Sequence, residues 1–106
     1  MKLGIIIHSS DPETVWNGFR FGVFAAKQGD AVRVFLIGQG VEAEAYSTEK
    51  FPVPVQMRAL LDAGGCIDAC GTCLKIRQSQ GSELCPLSTM QDLYDIVRDS
   101  DRVVSF

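Results

Sequence analysis

The chain has 106 residues, 46% hydrophobic and 22% charged, with a net charge of −3. That length holds one sheet-based core and no second domain, and scattered basic residues with no aromatic interleaving exclude a nucleic-acid surface built on a basic stripe. The longest apolar runs are strand-sized, and the first seven residues run into polar His8-Ser9-Ser10 too soon for a signal peptide, so a cytoplasmic protein without a membrane span is expected.

Residues 3–8, Leu-Gly-Ile-Ile-Ile-His, suit a strand buried on both faces of a parallel sheet. Ser10-Asp11-Pro12-Glu13 then supplies a cap, a first-turn proline and early negative charge. The helix that follows places Val15, Phe19, Val23 and Ala26 on one face, with Trp16 and Phe24 flanking it, and ends at Gly29-Asp30. Residues 31–38 read as a second strand, so the default connection is a right-handed crossover between parallel strands. Residues 41–45 are helix-compatible. Pro52-Val53-Pro54 leads into a helix with Val55, Met57, Leu60 and Leu61 as its apolar positions, stopped by Gly64-Gly65.

Residues 66–70, Cys-Ile-Asp-Ala-Cys, form a third strand that turns at Gly71 into a helical segment carrying Lys75 and Arg77. A polar loop containing Cys85 follows. Ser88 and Gln91 have the spacing of a capping box, and Met90, Leu93, Tyr94 and Val97 mark the apolar face of a last helix. Residues 102–106 close the chain as a strand. Four strands alternating with helices predict one domain over residues 1–106, a three-layer α/β/α sandwich around a mainly parallel sheet with flavodoxin-like winding. Such sheets bind ligands at the carboxyl ends of their strands, near the point where the winding reverses. That rim would gather His8-Ser9, residues 38–41 and Cys70-Gly71.

The chemistry-bearing residues cluster around the third strand. Cys70 and Cys73 form a Cys-x-x-Cys pair on a turn into a helix, a spacing found in thiol oxidoreductases, metal sites and sulfur carriers. The N–H groups beyond Gly71 and the cations Lys75 and Arg77 are expected to push Cys70 toward thiolate. Cys66, about 13 Å back along the strand, cannot bond to Cys70 and reads as core. Cys85 is a candidate resolving thiol. His8 is an auxiliary candidate, because a strand-end imidazole exchanges protons near neutral pH. A competing assignment groups Cys70, Cys73, Cys85 and His8 around zinc or an iron–sulfur cluster, but their spacing lacks the paired knuckles of a zinc ribbon. A third assignment makes the chain a non-catalytic oligomeric module whose cysteines merely pack. Trp16, Phe21, Tyr46 and Phe51 fall outside the clearest core positions, and together they predict a homo-oligomer.

Residues 66–77, preceded by Ala63-Gly64-Gly65, resemble the DsrE/DsrF-like family of small sulfur-relay proteins. The resemblance extends to the opening strand, the Asp11-Pro12-Glu13-Thr14 helix start, Gly40-Val41 after the second strand, and the last helix before a terminal strand. It implies a parallel α/β fold, trimers or hexamers, and a persulfide carried on Cys70 and exchanged with donor and acceptor proteins, with no cofactor or metal. Cys73 and Cys85 depart from the simplest members. A second thiol at Cys73 fits release of sulfide through an internal disulfide, so the roles of sulfurtransferase and of persulfide or dithiol reductase both stand.

Overall fold

The structure, a computed structural model, describes residues 1–79, 82, 84 and 86–106. Five parallel strands form the sheet: β1 (Lys2–Ile7), β2 (Ala31–Leu36), β3 (Cys66–Cys70), β4 (Leu87–Ser88) and β5 (Arg102–Ser105). Their order is β4-β3-β2-β1-β5, and each adjoining pair is parallel. β4 is an addition to the four expected strands. Leu87 comes from the stretch read as loop and Ser88 from the expected start of the last helix, because two residues carry too little periodicity to announce a strand; Ala69 N–H donates to the Pro86 carbonyl just before it.

The helices are α1 (Pro12–Lys27), α2 (Val53–Asp62), α3 (Gly71–Ile76) and α4 (Met90–Asp99), with a 3-10 helix over Gly38–Tyr46. Asp11 caps α1, accepting from the Thr14 amide at 2.9 Å. Gly18 and Gly22 let α1 lie directly on β1, since a Cβ at either would press on Ile7 or Ile5. On the opposite face, Gly4 admits Ile96 and Ser100 from α4 and its following residue. Helices thus cover both sides of the sheet. Phe19, Phe35, Ile5, Ile7, Met57 and Leu60 fill the core between layers; each contributes on the order of 1.5–3 kcal/mol by leaving water.

Several expectations need correcting. The α4 capping box is Thr89 with Asp92, one residue beyond the Ser88–Gln91 spacing. α4 buries Ile96, half-buries Leu93, and leaves Met90, Tyr94 and Val97 exposed, because it lies over β1 with its Ile96 edge down. Val55 of α2 is exposed for a similar reason, while Val53, Met57 and Leu60 face the core. Cys66 is exposed as well. It lies in register with Arg33 and Gly4 on the α4 side of the sheet, and α4 packs over β1, two strands away from it. Of the four aromatics assigned to the surface, Phe21 is exposed, whereas Trp16, Tyr46 and Phe51 are half-buried. Trp16 and Phe51 pack ring to ring at 5.5 Å.

Candidate functional site: a thiol pair at the end of β3

Cys70 is the last residue of β3 and the N-cap of α3. Gly71 opens the helix beneath the Ser88 carbonyl, which would stand 3.0 Å from a Cβ at that position. The tight strand-to-helix turn folds Cys73 back onto Cys70. The Cys73 amide donates to Cys70 Sγ at 3.5 Å. The turn thus sets the backbone of the second cysteine against the sulfur of the first.

Their surroundings differ. Cys70 is only 2% exposed. Burial pushes its thiol up from the ordinary cysteine value, and the neighbouring Cys73 thiol pushes the same way, against the weaker pull of the Cys73 and Thr72 amides. The expectation of a Cys70 biased toward thiolate is thus reversed: desolvation outweighs the N–H donors. Arg77 does not face Cys70 as a free cation. Its guanidinium donates to the Cys73 carbonyl at 3.1 Å and pairs with Glu42 at 3.4 Å. Cys73 is half-buried, and its Sγ accepts from the Gly38 amide at 3.3 Å.

Gly38 begins the 3-10 helix after β2 with φ +58, a left-handed conformation that a glycine adopts without strain. The loop must turn sharply there because Gly40 lies against the Ile7 carbonyl, with no room for a Cβ. Gly38 was placed on the rim by sequence, but its role as a sulfur donor was not; nothing in a glycine codon signals where its amide points. Tyr46 donates to Glu42 at 2.9 Å and completes the Arg77–Glu42 link; burial and that bond raise the Tyr46 hydroxyl above its usual value.

His8 follows β1, two strands across from β3, which is roughly 10 Å at the usual strand spacing. Its backbone N–H bonds to the Phe106 carbonyl at 2.9 Å. The winding reverses here, between β1 and β5, so the switch point and the thiol pair occupy different parts of the rim. Cys85 lies outside the described residues. Among those described, no three potential metal ligands gather, and no helix is long and apolar enough to cross a membrane.

Two depressions flank α3. One, of about 270 Å³, lies between the 3-10 helix and α3 against Val41, Glu42 and Leu74. The other is a groove of about 810 Å³ bordered by Gly71, Thr72, Lys75, Ser88 and Met90.

The whole chain, residues 1–106, matches the DsrE/DsrF-like family. It belongs to that family. Among DsrE/DsrF-like relatives, an uncharacterized protein of Methanocaldococcus jannaschii is 32% identical over 114 aligned residues, covering 100% of both chains. An uncharacterized protein of Methanopyrus kandleri is 32% identical over 100 residues, covering 89% of this chain and 83% of that protein. A conserved protein of unknown function from Bacteroides thetaiotaomicron has the same fold, with a TM-score of 0.78 at 18% identity over 99% of this chain and 94% of its own. The family rests on the sequence match, and the α/β fold is shared with the Bacteroides protein.

Proposed function

We propose that this DsrE/DsrF-like protein transfers sulfur through the Cys70–Cys73 pair, accepting sulfane sulfur from a donor persulfide and passing it to a partner protein or releasing it as sulfide. The observation that carries the reading is a pair of cysteines at a strand end, each with its sulfur accepting from a backbone amide, Cys70 from that of Cys73 and Cys73 from that of Gly38. Thiol–persulfide exchange needs a nucleophilic sulfur, a place to hold the transferred atom, and a second thiol within reach when the atom is to leave as sulfide. Gly71 serves the site by permitting the turn. His8 stands too far along the rim for direct contact to be part of this reading, and it remains an auxiliary group for partners that span the rim.

Assembly belongs to the same proposal. Phe24 and Phe21 are exposed on α1 beside Phe106, forming an apolar groove of about 580 Å³. Met90, Tyr94 and Val97 add a second exposed apolar stripe on α4. Contiguous apolar surface of this kind suits a homo-oligomer, a trimer or hexamer by family.

Incubation with glutathione persulfide, followed by intact mass and sulfide measurement, tests the function. Sulfur transfer predicts a gain of about 32 Da per sulfur atom or its release as sulfide. A protein that gains no sulfur and yields no sulfide overturns it. Light scattering on the same sample tests assembly, and a monomeric mass removes that part.

A further inference from the structure

The two cysteines are not equivalent, and the difference runs opposite to their order in the chain. Cys70 has 2% exposure and sits where β3 ends and α3 begins. Cys73 is half-buried and faces the Gly38 amide at 3.3 Å. An attacking sulfur must be reached by the donor, and a thiolate gains from an N–H aimed at it. Each sulfur has such an amide, at 3.3 Å for Cys73 and 3.5 Å for Cys70, so exposure is what favours the second cysteine.

We infer that Cys73 is the entry thiol, which takes sulfane sulfur from the donor, and that buried Cys70 is the resolving thiol. The inference rests on the sulfur-transfer reading above and assigns the order within it. In the first step the Cys73 thiolate attacks the outer sulfur of a donor persulfide, R–S–SH. The donor S–S bond breaks, R–S⁻ leaves, and Cys73 carries –S–SH. The Gly38 amide lies beside the Cys73 sulfur before the attack. In the second step Cys70 gives up its thiol proton and its sulfur attacks Cys73 Sγ. The persulfide S–S bond breaks, hydrosulfide leaves, and a Cys70–Cys73 disulfide remains. A dithiol reductant then reduces that disulfide by two electrons and returns both thiols.

This order accounts for Cys70 being shielded. A thiol pushed up by burial stays protonated while the donor is outside and does not compete for it. Its attack is intramolecular, so contact with Cys73 compensates for a low population of thiolate.

Two variants and one labelling experiment test the order. Cys73→Ser should lose loading from glutathione persulfide by about tenfold or more, whereas Cys70→Ala should load one sulfur atom and release sulfide about tenfold more slowly than the native protein. Limiting iodoacetamide on the unaltered protein at neutral pH, with peptide mapping, should modify Cys73 before Cys70 and so reads the order without a substitution in the core. Loading that survives in Cys73→Ser, or Cys70 labelling ahead of Cys73, overturns the order while leaving sulfur transfer by the pair intact. Absence of both loading and sulfide in the native protein instead defeats the sulfur-transfer reading itself.

Discussion

Arg77 ties α3 to the 3-10 helix: its guanidinium pairs with the Glu42 carboxylate at 3.4 Å and donates to the Cys73 carbonyl at 3.1 Å. Tyr46 donates to the same carboxylate oxygen, Glu42 Oε2. A helix of six residues is too short to hold itself, so this link keeps Cys73 against Gly38. Because Glu42 is 42% exposed, Arg77→Met should lower stability by no more than about 1 kcal/mol. Its larger effect should be local, with faster amide hydrogen exchange through α3 at nearly unchanged global stability. Equal exchange rates in the variant and the native protein would show that Arg77 is not the anchor.

Gly38 and Gly40 are required for different reasons, and alanine separates them. A Cβ at Gly38 meets open space but must adopt φ +58, a cost of about 1 kcal/mol. A Cβ at Gly40 overlaps the Ile7 carbonyl itself, and moving backbone aside should cost about 2–4 kcal/mol. Urea unfolding of the two alanine variants checks the ranking. The explanation fails if Gly40→Ala is as stable as Gly38→Ala.

Acid sensitivity should arise at the helix caps. Asp11 is held below the usual aspartate range chiefly by the Thr14 amide, and Asp92 chiefly by the Thr89 amide. A carboxyl lowered in the folded state contributes stability that is complete above its unfolded value, near pH 4, and is lost as pH falls through its folded value. The melting temperature should therefore drop below about pH 4, and Asp92→Asn should flatten part of that drop. The same slope in Asp92→Asn and the native protein would count against the cap as the source.

Burial acts with the opposite sign on Cys70. Its thiol is raised, so the stability it contributes is present below the ordinary cysteine value and lost as pH rises through the folded one. Acid and alkaline sensitivity thus draw on different groups, the lowered carboxyls of Asp11, Asp92 and Asp99 at one end and the raised Cys70 thiol and Tyr46 hydroxyl at the other.

The alternating strands and helices were legible because β-branched runs, a capped proline start and glycine stops are local signals. Val15, Phe19 and Val23 were assigned to the buried face of α1 by spacing alone, and they occupy it. Cys70 and Cys73 were recognisable as a pair for the same reason: a turn into a helix brings residues three apart together. What needed tertiary structure was everything set by packing between elements. The apolar stripe of α4 carries Met90, Tyr94 and Val97 outward, and only the docking of Ile96 over Gly4 decides which side is inner. Cys66 is exposed with α4 docked over β1, two strands away from it, a fact about where α4 lands rather than about cysteine. The contrast between the two thiols has the same origin. Sequence supplies two sulfurs and a turn, but exposure and the Gly38 amide, which come from enclosure by β3 and from a loop after another strand, make one sulfur accessible and keep the other dry.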